Sequence, residues 1–123
     1  YRIAHDGELV CSDGSGLSRT NRLTPKMLIA LLEAFYNSYL RDEMIGTMAA
    51  PGEQATLKKR VPDARGRLWA KTGALRGVCS LTGYYLRPNG HMAAFVMLMN
   101  GYSVHSNHIR DIQDELVGAM LEM

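Results

Sequence analysis

Apolar and polar positions alternate with two different periods along this chain, and the change of period divides it. Glu8 to Ser12 alternates weakly and runs into "SDGSG", where Gly14 and Gly16 permit positive φ, so a short strand ending in a tight turn is expected. Thr24 followed by Pro25 predicts a helix start, with Thr as N-cap and Pro at the first helical position, where its missing N–H costs nothing. Met27, Leu28, Leu31, Leu32, Phe35 and Tyr39 then recur every three or four residues, the spacing of one helix face. A short second helix is expected over Asp42 to Met48, stopped by "APG" because the residue before Pro51 is pushed out of the helical region. Residues 53 to 60 read as another turn or two of helix, and Pro62 to Gly66 as loop.

Beyond residue 66 the period shortens to that of strands. Arg67 to Thr72 and Val78 to Leu86 are rich in β-formers and broken by Gly73 and Gly77. "RPNG", residues 87 to 90, is a hairpin signal, and the almost continuously apolar run His91 to Asn100 predicts a strand buried on both faces. From about residue 106, Ile109, Ile112, Leu116, Val117, Met120 and Leu121 return to helical spacing. Three strands joined by short turns predict an antiparallel meander with long helices to cover it, an α+β fold. No repeat, low-complexity tract or Gly/Ser linker marks a boundary inside the chain.

Composition narrows the function classes. At 123 residues the chain fits one domain. It is 46% apolar and 21% charged, ordinary for a globular protein, and its apolar runs are far too short to span a bilayer. A net charge of +2 argues for neither nucleic acid nor an anionic membrane as partner. The densest basic cluster, Lys58, Lys59 and Arg60, has no aromatic neighbours to stack bases and reads as a solvated helix face. Cys11 and Cys79 each fall in an apolar, strand-like run where a free thiol packs as a small hydrophobe; whether they pair stays open, and with it the redox compartment. The opening "YRIAHDGELV" has no signal-peptide pattern and no Met, so it reads as a mature or cleaved product with more chain upstream.

The candidate chemistry lies in "RLWAKTGALRGVCSLTGYY", residues 67 to 85. Lys71, Thr72 and Gly73 at a strand end offer a cation, a hydroxyl donor and a position without a side chain, a trio suited to an anionic ligand that pairs with the strand edge. His105, His108 and Asp111 align on a helix but straddle its start, which is poor metal-site geometry; His5 and His91 are isolated. Methionines read as core filler, and Trp69 as packing beneath the trio.

Taken together, "AKTGAL" before a hairpin and "DGSGLSR" (Asp13 to Arg19) some fifty residues earlier resemble the serine penicillin-recognising enzymes. The resemblance is narrower to the D-alanyl-D-alanine carboxypeptidase/endopeptidase group of low-molecular-mass penicillin-binding proteins. It continues through "KTGALRGVCSLTGYY", "NGY" and "IRDIQDEL", and covers residues 9 to 121. It implies the C-terminal part of a penicillin-binding-protein/β-lactamase-like transpeptidase fold, acyl transfer on peptidoglycan stem peptides in the bacterial periplasm or outside the membrane, acylation by β-lactams, and no metal or organic cofactor.

By the same resemblance Lys71 supplies positive potential, Thr72 a hydroxyl to the substrate carboxylate, Gly73 space, and Ala74 a backbone oxyanion donor, although Ala74 departs from the Ser or Thr common there. Asp13, Ser15, Ser18 and Arg19 read as buttresses rather than nucleophiles. The family's Ser-x-x-Lys and Ser-x-Asn motifs are absent: no Lys lies three residues after Ser12, Ser15, Ser18, Ser38, Ser80, Ser103 or Ser106, and no Asn two after. The expectation is a C-terminal portion whose nucleophile lies in a missing N-terminal portion of the same protein, and which is inactive alone. The alternatives are a catalytically inactive relative that binds cell-wall peptide or a partner, an unrelated α+β interaction domain, and a serine β-lactamase.

Overall fold

The computed structural model describes residues 9–53 and 55–123. Its elements are α1 (Pro25–Tyr36), α2 (Arg41–Gly46), β1 (Leu68–Leu75), β2 (Val78–Leu86), β3 (Met92–Asn100) and α3 (Ser106–Leu121), with a turn of 3₁₀ helix at Pro62–Ala64. The strands form the expected antiparallel meander in the order β1-β2-β3.

The helices do not share one face of this sheet. Leu68, Ala70, Leu81, Tyr85 and Phe95 pack with Val117 and Leu121 of α3 and with Leu57 and Ala64 from the preceding segment. Side chains alternate across a strand, so Tyr84 points to the opposite face, where its hydroxyl donates to the Leu32 carbonyl of α1 at 2.7 Å. Burial raises the Tyr84 pKa, with Tyr36 nearby adding to the shift. Each fully buried Leu or Val is worth about 2 kcal/mol in transferred apolar area, so Leu57, Leu68, Leu81 and Val117, all at 0% exposure, anchor the α3 side.

Several local expectations change. α1 starts as read, Thr24 Oγ1 accepting the Met27 N–H at 3.3 Å, but ends at Tyr36, and Tyr39 is exposed beyond it. α2 stops at Gly46, before Met48. The N-terminal strand reduces to one bridge, Val10 with Arg22; Glu8, where it was expected to begin, and His5 lie outside the described residues.

The helix expected over residues 53 to 60 does not form. Ala55 and Val61 have φ of 91° and 41°, off the right-handed helical region, and Leu57 instead plugs the core. The loop expected at Pro62 holds the 3₁₀ turn. β1 runs on through Gly73 and Ala74 to Leu75 rather than stopping at Thr72.

β3 is only partly buried on either face: Phe95 alone is fully buried, and the strand lies at an edge of the described sheet, with a strand neighbour on one side only. In α3 the buried line is Ile109, Gln113, Val117 and Leu121, which leaves Ile112 and Leu116 exposed.

Candidate active site

Backbone pairing makes β1 different at its two ends. Residues 49 and 70 bridge through Ala49 N–H to Ala70 C=O at 3.0 Å and Ala70 N–H to Ala49 C=O at 2.9 Å. Ala70 therefore turns its polar groups away from β2. Because that direction alternates along an antiparallel strand, Lys71 and Gly73 bond to β2 while Thr72 and Ala74 also aim N–H and C=O outward. Among the described residues the Ala49 bridge is the only backbone pairing on that side, so the edge beyond it is open.

Lys71 reaches this edge. Its side chain is exposed and Nζ donates to the Thr72 carbonyl at 2.9 Å. The Thr72 hydroxyl donates to Thr56 Oγ1 at 3.0 Å. Gly73 faces Ser80 across the ladder, and a Cβ at residue 73 would collide with the Ser80 hydroxyl, so some of the space that Gly73 vacates is occupied from within. Trp69 is half-buried. Beside Thr72, Gly73 and Ala74 opens a groove of about 290 Å³, which Arg60 and Arg110 also line.

Arg60 corrects the reading of a solvated basic face. Its Nη2 donates to Asp114 Oδ1 at 2.6 Å, to Gln113 Oε1 at 3.1 Å and to the Arg110 carbonyl at 3.2 Å. Lys58 and Lys59 are exposed as expected. Gln113, fully buried in a helix line that pattern reading assigned to apolar residues, also accepts from the Cys79 thiol at 3.7 Å. Both cysteines are free, Cys79 buried and Cys11 exposed. The expectation of a packed thiol thus fails for Cys11, which lies in no strand.

Asp13, Ser15 and Ser18 form their own network. Ser15 Oγ donates to Asp13 Oδ2 at 2.8 Å and accepts the Leu17 N–H at 3.1 Å. Ser18 shares a 2.7 Å hydrogen bond with Thr20, whose hydroxyl donates to Ser12 at 2.6 Å. The Ser15 hydroxyl above all, with Asn21 and the backbone at Gly16 and Ser18, holds the exposed Asp13 carboxyl below its ordinary pKa. Among the described residues these three make no bond to Lys71–Ala74. Arg19 makes the link instead, Nη1 and Nη2 donating to the Arg76 carbonyl at 3.3 and 3.2 Å, in the turn where β1 ends.

His105 caps α3, its Nδ1 accepting the Asn107 N–H at 3.2 Å. Among the described residues no cluster of three or more His, Cys, Asp or Glu is arranged to hold a metal ion.

The model of the D-Ala-D-Ala carboxypeptidase 3 (S13) family matches residues 4–123. The chain belongs to that family. It is similar to the D-alanyl-D-alanine carboxypeptidase DacB of Haemophilus influenzae, 35% identical over 79% of this chain and 21% of that protein. The penicillin-sensitive carboxypeptidase A of Dictyostelium discoideum is 37% identical over 85% of this chain and 22% of that protein. The crystal structure of penicillin binding protein 4 from Haemophilus influenzae complexed with a β-lactam superposes with a TM-score of 0.85 at 28% identity, covering 95% of this chain and 30% of that one. An S13 chain of this extent therefore spans about a fifth of the length of the curated relatives it matches, and the α+β fold is that of penicillin binding protein 4.

Residues that pattern reading missed are Arg60, Gln113, Arg110, Thr56 and Ser80. Only Arg60 gave a signal, as part of the basic cluster.

Proposed function

We propose that this chain supplies the substrate-gripping edge of a serine-type D-alanyl-D-alanine carboxypeptidase/endopeptidase. The enzyme acts on peptidoglycan stem peptides through an acyl-enzyme and is acylated by β-lactams in the same way. The observation that carries the reading is the open edge of β1 in an S13 chain: backbone groups of Thr72 and Ala74 aimed outward, with the Lys71 ammonium against them.

A stem peptide lies along this edge as an added strand, its backbone pairing with β1. Its C-terminal carboxylate takes the Thr72 hydroxyl, released from Thr56, while Lys71 adds positive potential there and to the proton network. Gly73 keeps the edge slim, and the Ala74 N–H serves as one oxyanion donor, worth about 3 kcal/mol in the transition state. The second donor is the N–H of the nucleophilic serine.

That serine and its lysine base come from an upstream portion of the same protein, and this chain by itself is inactive. Asp13, Ser15 and Ser18 buttress the loop from which Arg19 holds the β1–β2 turn, and hence the direction of Ala74. The enzyme works outside the cytoplasmic membrane of a bacterium, where its substrate is. No helix among the described residues is long and apolar enough to cross a membrane.

The test is intact-mass measurement after incubating the full-length protein with labelled penicillin. One adduct mass is expected, and Lys71→Ala should slow its formation at least a hundredfold. A full-length protein that never gains the adduct would overturn the reading in favour of an inactive peptide binder. Fast turnover of the drug would point to a β-lactamase instead.

A further inference from the structure

The two guanidinium groups of the groove beside Thr72 are in different electrostatic states. Arg60 is committed: its Nε and Nη2 donate to the Asp114 carboxylate at 3.0 and 2.6 Å, and its side chain is only 15% exposed. Its charge is compensated within the protein. Arg110 is half-buried, and its Nη1 donates to Asn107 Oδ1 at 3.2 Å, a neutral acceptor. Of the carboxylates nearest on its own helix, Asp114 is engaged by Arg60 and Asp111 is exposed.

The groove thus combines one cation that has no carboxylate partner among the described residues with the touching hydroxyls of Thr56 and Thr72, and it abuts Ala74. Hydroxyls that now satisfy each other can rotate to donate to an incoming oxygen. At about 290 Å³ the groove holds roughly ten waters, room for a terminal residue and part of its hydration.

We infer that Arg110 is a specificity-determining residue that binds the terminal carboxylate of a peptide lying on the β1 edge. This deepens the proposed function and rests on its placement of substrate. A planar guanidinium is suited to a carboxylate, forming charge-assisted hydrogen bonds that an uncharged amide cannot match. An internal peptide bond presents only an amide at this point. Arg110 therefore biases the site toward chain ends, favouring carboxypeptidase over endopeptidase action.

The experiment measures binding, by calorimetry, of a peptide ending in D-alanyl-D-alanine and of its C-terminal amide to the full-length protein with its upstream nucleophilic serine changed to alanine, so that neither peptide is turned over. The acid should bind at least tenfold more tightly. Arg110→Gln should cut that acid-to-amide ratio about tenfold by weakening the acid alone, the size of one charged hydrogen bond. Arg110→Lys, keeping charge but not the fork, should recover part of it. A ratio unchanged in Arg110→Gln, acid and amide weakened together, or no acid preference with Arg110 in place would each overturn the inference.

A second measurement needs no variant: inorganic sulfate should compete with the acid and leave the amide untouched, and an equal effect on both overturns the assignment. Penicillin acylation separates this inference from the reading beneath it. A protein that binds acid through Arg110 yet never acylates keeps the subsite and loses the peptidase. One that acylates without acid preference does the reverse.

Discussion

Leu68 and Ala70 at the start of β1 point to the same side of the sheet as Thr72 and Ala74 at its end, yet the first pair is wholly buried and the second meets a groove and solvent. Leu57, Val117 and Leu121 cover the first pair, and the Ala49 bridge saturates the backbone beside it. Past that bridge, among the described residues, the strand pairs with β2 alone, so the outward backbone groups of Thr72 and Ala74 have no backbone partner there. Strand geometry is uniform along β1. What differs is whether a described residue pairs with its outer edge.

The contrast between the two halves of β1 is most easily destroyed at the closed half. Leu68→Ala removes a side chain at 0% exposure and should lower stability by about 3 kcal/mol, read from denaturant unfolding. Gly83 is the next largest effect. Opposite Ala70, it has no room for a Cβ, which would strike the Trp69 carbonyl and the Ala70 Cα. Gly83→Ala should cost about 2 kcal/mol by forcing the two strands apart, and a thermal midpoint equal to that of the unaltered protein would contradict it.

Removing the carboxylate of Asp114 strands a half-buried Arg60 at the groove wall. Asp114→Ala should cost about 1.5 kcal/mol, between the values for exposed and fully buried pairs, and should decline less steeply in high salt than a surface pair would. At the open half, Lys71→Ala should change stability by less than about 0.5 kcal/mol, although the proposed function assigns this substitution a hundredfold loss of acylation. A large stability loss there would erase the contrast between the two halves.

The smallest expected effect is acidic. Asp13 has a folded pKa below its unfolded one, so its contribution to stability is present above the unfolded value and fades as pH falls through the folded value. The unfolding midpoint of Asp13→Asn should accordingly vary less with pH in the acidic range than that of the parent, in paired thermal scans.

Much of this was readable along the chain because it depends on neighbours in sequence. Thr24-Pro25 starts a helix through contacts within one turn, and α1 forms there. "RPNG" closes a hairpin through its own backbone, Gly90 N–H donating to the Arg87 carbonyl at 3.0 Å. The Lys-Thr-Gly triad sits on a strand before a hairpin, the arrangement that the family resemblance implied. Where expectation failed, distant residues had decided. Residues 53 to 60 left the helical path because Leu57 found the core and Arg60 found Asp114. The continuous apolar run of β3 did not reveal that its strand lies at an edge.

The order of residues by itself determined the family, the α+β class, the three strands and the helix on either side of them. The class and the elements follow from hydrogen-bond periods and turn chemistry that act over a few residues, and the family from the likeness of the Lys-Thr-Gly and Asp-Gly-Ser-Gly stretches to known sequences. Only tertiary structure decided that Ala49 closes half of β1 and that no other described residue pairs with Thr72 and Ala74 on that side, and that Arg60 is neutralised while Arg110 keeps a neutral partner. Each of these outcomes is a pairing or a burial, and neither exists until segments far apart in sequence are packed together.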